Sequence, residues 1–261
     1  MPLVSTAHPW PAETIWEQVF PLLPDFTVEV LPEIDSSNSE LMRRARAGHH
    51  EPTLLVAERQ TAGRGRQGRV WQSQAGDSLT FSISLALRPQ DWSGLSLAVG
   101  LSLAESLHPD VRLKWPNDLW RLQQKLGGIL IEAASQGSES YVVVGVGLNV
   151  RKPSANDLRT PATGIESFWK EATAPLVLER VAAPLIRMLL EFKSQGFAPL
   201  QQRFSQRDAI LGQVIGTSDG LQGVCQGVDA DGVLQIDTTH GRVKINSAEV
   251  SVRPVNTIQG A

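Results

Sequence analysis

The segment Gly63-Arg64-Gly65-Arg66-Gln67-Gly68-Arg69 interleaves glycines with arginines. Glycine lets a backbone approach an anion closely, and each arginine offers a planar charged fork that grips phosphate through paired hydrogen bonds. Such charge-assisted bonds are about twice as strong as neutral ones. A protein that holds a triphosphate and then retains a reactive acyl phosphate anhydride needs this combination; a solvated basic loop that touches RNA, or nothing, is the plainer alternative. The three glycines also spell G-x-G-x-x-G. A dinucleotide fold needs a helix directly after that loop, whereas Val70 to Leu87 reads as loop then strand, and no acidic residue closes a strand at the required distance. The kinase version, completed by Val70, lacks its V-A-I-K, H-R-D and D-F-G companions. Both readings are excluded.

A second constellation is Lys114-Trp115-Pro116-Asn117-Asp118-Leu119, followed by Lys125-Leu126-Gly127-Gly128-Ile129-Leu130. Lys125 puts one positive charge beside backbone stripped of side chains, so a ligand can lie against it; on any ordinary hairpin it is a surface lysine. Asn117 and Asp118 offer oxygens, and a carboxylate beside phosphates is a natural Mg²⁺ ligand, which makes Asp118 the candidate metal residue. Trp115 and Pro116 read as core packing. Third comes Gly145-Val146-Gly147-Leu148-Asn149-Val150, where glycine inside a strand marks close approach by a ligand or another backbone, or else a bulge.

These segments, together with Ser36-Ser37-Asn38 and Gln60, stand in the order seen in biotin protein ligases. The chain resembles that family from about Ile34 to Arg253, with Ser37 where threonine is common. The resemblance implies a biotin site of Ser36, Ser37, Asn38, Gln60, Gly63, Arg64, Gly65, Arg66, Lys125, Gly145 and Gly147. It implies an ATP site of Arg66, Arg69, Trp71, Asn117, Lys125 and Asn149, and a catalytic set of Lys125, Arg64 and Arg66. Trp71 also suits plain packing or an apolar wall for the biotin chain. The implied reaction activates biotin with ATP and Mg²⁺ to biotinyl-5′-AMP, then transfers biotin to a lysine of the biotin carboxyl carrier protein of acetyl-CoA carboxylase. Rivals are a lipoate or octanoate transferase, whose glycine and histidine motifs differ, a non-catalytic biotin-binding regulator, which could lose Lys125 or Asp118, and a basic-loop RNA binder.

The elements that must carry these residues follow from pattern. Residues 1–33 are a Pro-rich extension with one short helix at about Ala12 to Phe20. Ser37 and Glu40 fit a capping box opening a helix through Ala47, stopped by Gly48. Thr53–Ala57 reads as a buried strand, Leu79–Leu85 as a half-buried one, Leu95–Leu107 as a helix, and Leu119–Ile131 as a hairpin turning near Leu122-Gln123. Tyr141–Val150 is a buried strand, residues 151–165 a long loop of the kind that closes over a ligand, and Leu176–Lys193 a helix. From Leu211, short β runs at 213–215, 223–227, 233–236, 242–245 and 250–252 alternate with Asp-Gly turns, the pattern of a small five-stranded barrel. The expected fold is α+β: a mixed-sheet catalytic domain of the biotin/lipoate ligase type (34–207), an SH3-like barrel (208–254) and a tail (255–261). The 33-residue extension is too short for a winged DNA-binding module of roughly 60 residues.

Bulk composition narrows the classes further. With 261 residues and 41% hydrophobic content the chain can bury a proper core. Its net charge of −3 disfavours whole-protein affinity for nucleic acid or anionic membrane, so neither is an expected partner. Cys225 is the single cysteine, which precludes an internal disulfide and reads as a small, half-buried strand residue. The five histidines are too scattered for a metal site. No signal peptide or membrane span is visible, pointing to the cytoplasm, and the pattern leaves a homodimer open.

Overall fold

The two glycine-bearing strands singled out by the sequence lie side by side. The structure, a computed structural model, describes residues 9–89, 91–136, 139–154, 160–246 and 252–254. In chain order these form α1 (Ala12–Val19), β1 (Thr27–Ile34), α2 (Ser37–Arg46), β2 (Thr53–Gln60), β3 (Ser78–Ala86), α3 (Leu95–Leu107), β4 (Arg112–Lys114), β5 (Asp118–Arg121), β6 (Gln124–Gln136), β7 (Glu139–Asn149), α4 (Ala174–Gln195) and α5 (Gln201–Ser205). Then come β8 (Val214–Thr217), β9 (Gln222–Val228), β10 (Leu234–Thr238), β11 (Gly241–Ile245) and β12 (Val252–Pro254). The chain divides into two compact units, residues 1–88 with 124–187 and residues 89–123 with 188–261. The fold is α+β, with a mixed seven-stranded sheet and a separate antiparallel five-stranded one.

In the first unit the strand order is β1-β2-β3-β7-β6. β1 and β2 are parallel, a pairing that demands a crossover, and α2 provides it. The remaining pairs are antiparallel, with Gly147 opposite Thr80 on one side and Gly128 on the other. Helix α2 lays Leu41, Met42 and Ala45 onto Leu55, Tyr141 and Val143, a buried cluster that fixes the helix over the sheet. Each large apolar side chain so buried contributes about 1.5–3 kcal/mol. The turn between β5 and β6 falls at Leu122 and Gln123, both with positive φ (47° and 61°), as the hairpin reading expects.

Four expectations need correction. The Pro-rich extension contains a full strand, β1, as well as the short helix. β3 is buried on both faces, not half-buried: Leu79, Phe81, Ile83 and Leu85 are at most 1% exposed, and Thr80, Ser82 and Ser84 are covered as well. Their hydroxyls are satisfied from within, Thr80 Oγ1 donating to Ala57 O at 2.6 Å. The cap of α2 is Ser36, extended at φ −160° and accepting from Ser39 N; Glu40 is drawn away by ion pairs to Arg43 and Arg44. Cys225 is fully buried in β9, and that burial pushes its thiol up to about 12.

The second unit carries the five-stranded sheet in the order β11-β10-β9-β8-β12. Its strands coincide closely with the β runs read from sequence; positions 250 and 251 of the last run lie outside the described residues. Trp115 is core, as expected, 1% exposed with Nε1 donating to Gly232 O at 3.2 Å. Asp208 precedes the sheet with Oδ1 accepting from Ile210 N at 2.9 Å, while Oδ2 is buried without a hydrogen-bond partner. Burial raises its carboxyl from 3.8 to about 6. The folded protein therefore keeps this proton after the unfolded chain has lost it. The stability contributed is full below about pH 4 and is lost as pH rises through about 6. Asp208→Asn keeps the Ile210 contact and should be more stable than the parent by about 1–3 kcal/mol at pH 7.5, an advantage that vanishes below pH 4. Urea unfolding at several pH values checks this; a difference independent of pH would contradict it.

Candidate functional site

The start of α2 gathers a set of buried, hydrogen-bonded polar side chains. Its turn is braced by Asp35, whose carboxylate accepts from Ser36 N at 2.8 Å and pairs with Arg43 at 2.7 Å. The Arg43 guanidinium holds that carboxyl down at about 2. Ser36, Ser37 and Asn38 are all nearly inaccessible, at 3–4% exposure. Gln60, at the end of β2, takes two hydrogen bonds on one atom: Ser37 N and Ser37 Oγ both donate to Oε1, at 2.7 and 3.1 Å. That fixes the amide, so Nε2 faces the start of the glycine-arginine loop, 3.1 Å from where a Cβ on Gly63 would sit. From β3, Ser82 Oγ shares its one proton between Asn38 Oδ1 (2.6 Å) and Ser37 Oγ (2.8 Å). Asn38 Nδ2 donates to Leu130 O at 3.2 Å and Glu132 Oε2 at 3.0 Å.

The strand glycines act as sockets. A Cβ on Gly145 would collide with the Asn38 carboxamide, 2.8 Å from its Cγ, and one on Gly147 would lie 2.5 Å from the Trp71 indole. Register explains the arrangement: Gly145 pairs with Leu130 and Gly147 with Gly128, so these alternate residues share one face with Glu132. Bare backbone there lets Asn38 and Trp71 come down onto the sheet.

The loop itself is a small hairpin. Trp71 N donates to Gly63 O, Gly65 N to Arg69 O, and Arg64 bridges Val70. A 3-10 turn spans Arg66–Gly68, with Gln67 and Gly68 at φ 57° and 69°. β3 follows, not a helix, which agrees with setting aside the dinucleotide reading. Arg64 reaches back to β6, its Nη2 2.9 and 3.0 Å from the two oxygens of Glu132. Arg69 is exposed and donates to Gln67 Oε1; Arg66 is half-buried.

At the far end of β6, Lys125 is held by its backbone. Its N–H donates to Pro161 O at 2.8 Å, and its carbonyl accepts from Thr163 N at 3.0 Å and Asn149 Nδ2 at 3.3 Å. Asn149, 7% exposed, also donates to Thr163 O at 3.1 Å, tying the loop after β7 to that strand. The middle of that loop, 155–159, lies outside the described residues. Leu130, which accepts from Asn38, is five residues from Lys125 along β6, about 16 Å at the usual strand rise. The structure thus gathers Ser36, Ser37, Asn38, Gln60, Gly63 and Arg64 near Gly145 and Gly147, while the Lys125 backbone meets Asn149 where β6 begins and β7 ends. Asn117 and Asp118 belong to the second unit, at the turn between β4 and β5. Among the described residues no group of three or more His, Cys, Asp or Glu could hold a metal ion.

Comparison with known proteins decides the family. Residues 31–149 match the Biotin/lipoate A/B protein ligase family and residues 213–253 the Biotin protein ligase C terminal domain. The biotin–[acetyl-CoA-carboxylase] ligase of Paracoccus denitrificans is 33% identical over 241 residues, covering 85% of this chain and 98% of that protein. The chain belongs to the biotin protein ligase family.

Other relatives of this family member agree. The bifunctional ligase/repressor BirA of Salmonella typhimurium is 35% identical over 250 residues, spanning 85% of this chain and 75% of its own. A biotin protein ligase from Aquifex aeolicus, solved in complex with biotin and ATP, superposes with a TM-score of 0.75 at 29% identity, covering 87% of this chain and 99% of that one. Two residues of this polar cluster were not legible as such from sequence. Ser82 was one of several small polar residues on a strand, and Glu132 one carboxylate on another. The alternation Thr80, Ser82, Ser84 was the available signal, once a buried strand had been recognised.

Proposed function

We propose that this protein activates biotin with ATP to biotinyl-5′-AMP and transfers the biotin to a lysine of a biotin carboxyl carrier protein of acetyl-CoA carboxylase. The observation that carries the reading is the polar pocket at Ser37, Asn38 and Gln60, seated over the socket glycines Gly145 and Gly147. Such a pocket suits a ligand with a small hydrogen-bonding ring. The ureido ring lies against Ser37, Asn38 and Gln60, Trp71 lines the chain, and the carboxylate reaches Lys125.

The chemistry follows from charge. A carboxylate oxygen attacks the α-phosphorus of ATP, a phosphorus–oxygen bond breaks, and pyrophosphate leaves. Two anions must meet, and Lys125 with the loop arginines Arg64, Arg66 and Arg69 offsets their repulsion. The ε-amine of the carrier lysine then attacks the anhydride carbonyl, and AMP departs. Hydrolysis competes, so the Gly63–Arg69 loop and the 151–165 loop serve to exclude water, Arg66 and Asn149 keeping the adenylate in place. Asp118, beside Asn117, would be the carboxylate that holds Mg²⁺, which would neutralise phosphate charge when bound. Within the same reading residues 34–207 form the catalytic domain, the five-stranded sheet is an SH3-like barrel, and the protein works in the cytoplasm. No described helix is long and apolar enough to cross a membrane.

Pyrophosphate release from ATP and Mg²⁺, without acceptor protein and with biotin or lipoate added separately, tests the proposal. Release with biotin alone is the expected result. Release with lipoate alone would reassign the substrate, and release with neither would leave a binding protein.

A further inference from the structure

Glu132 has no counterpart among the residues that the motifs single out, yet it joins the two parts of the site that sequence keeps far apart. Strand parity puts its side chain on the face shared with Gly128, Gly145 and Gly147. One oxygen, Oε2, accepts from Asn38 Nδ2 at 3.0 Å and from Arg64 Nη2 at 2.9 Å; the other accepts from Arg64 at 3.0 Å. Asn38 is buried and its carboxamide is pinned by Ser82, Leu130 and Glu132 together, so its nitrogen and oxygen cannot exchange places. Arg64 opens the hairpin loop, which Trp71 to Gly63 and Gly65 to Arg69 close internally.

We propose that Glu132 is a positioning residue for the ring end of the biotin site: it orients the Asn38 amide and latches Arg64, so that the glycine-arginine loop lies across the ring. The proposal rests on the ligase reading above and deepens it. An exposed ion pair alone adds little, and the Arg64–Glu132 pair is partly exposed, at 45% and 26%. The effect therefore comes from the coupling to Asn38, where a buried donor loses a charged acceptor if Glu132 is removed. Ring recognition and loop closure share one carboxylate. Both contacts of Glu132 lie at the Asn38 end of the site, so biotin binding bears the effect first.

The test uses the full chain and biotin-dependent pyrophosphate release. Glu132→Ala should raise KM for biotin about tenfold and change KM for ATP far less. Glu132→Gln, which keeps one oxygen for Asn38 but no charge for Arg64, should fall between. Arg64→Ala should also raise the biotin KM, and adding it to Glu132→Ala should bring less than the product of the two separate effects. This exposed loop substitution keeps the test open if Glu132→Ala folds poorly. A biotin KM unchanged in Glu132→Gln and Arg64→Ala, or a rise shared equally by biotin and ATP, overturns the latch. A parent protein without biotin-dependent release overturns the ligase reading, and the latch with it.

Discussion

Replacing Lys125 with alanine should slow biotin-dependent pyrophosphate release by about 10²–10³, the usual cost of losing one preorganised donor to developing charge. Three contacts of Lys125 are main chain: N–H to Pro161 O, and C=O from Thr163 N and Asn149 Nδ2. Alanine keeps all three, so the strand end and the start of the loop should remain in place. The loss should appear in the adenylation step, because that step brings a carboxylate against a triphosphate. Single-turnover pyrophosphate release at saturating biotin and ATP is the direct measurement. A rate equal to the parent's, in protein that melts normally, would mean that Lys125 does not meet the reacting anions.

The second large effect is expected at Gly145. An alanine Cβ there would collide with the Asn38 carboxamide, 2.8 Å from its Cγ. The side chain has nowhere to retreat: Ser82 holds its oxygen, while Leu130 and Glu132 hold its nitrogen. Either Asn38 is expelled from its three partners or the strand moves, and overpacking of this kind costs about 1–3 kcal/mol. Gly145→Ala should therefore weaken biotin binding by about tenfold to a hundredfold, the cost of disrupting a hydrogen-bonded pocket, with a moderate fall in stability. Calorimetric titration with biotin alongside a melting curve separates the two. Undiminished affinity would show that the Asn38 contact is incidental to the ligand.

How much of this was legible beforehand depended on how local the cause was. The helix Leu95–Leu107 and the turn at Leu122-Gln123 were read at their observed positions, because periodicity and turn chemistry act over a few residues. The β runs of the second unit were found for the same reason, separated by Asp-Gly turns whose glycines Gly220 and Gly232 do adopt positive φ. The family was legible too: glycine and arginine in fixed spacing carry their chemistry in their residue types. Strand β1 was missed because three prolines at 21, 24 and 32 suggested irregular chain, and its pairing partner, β2, begins 26 residues after it, Thr27 against Thr53.

Sequence by itself determined which residues could grip an anion, where most helices and strands begin, and to which family the pattern belongs. Tertiary structure alone decided what each polar group is spent on. Ser82 meets Asn38 across 44 positions and Glu132 meets it across 94, so nothing in the local chain announces either contact. Whether a carboxylate on a strand is solvated or becomes the shared anchor of a turn and a loop is settled by register, since a shift of one residue would turn Glu132 to the other face. The hydroxyls of β3 are buried for the same reason: α2 comes down over that face, and only the packed sheet shows that it does.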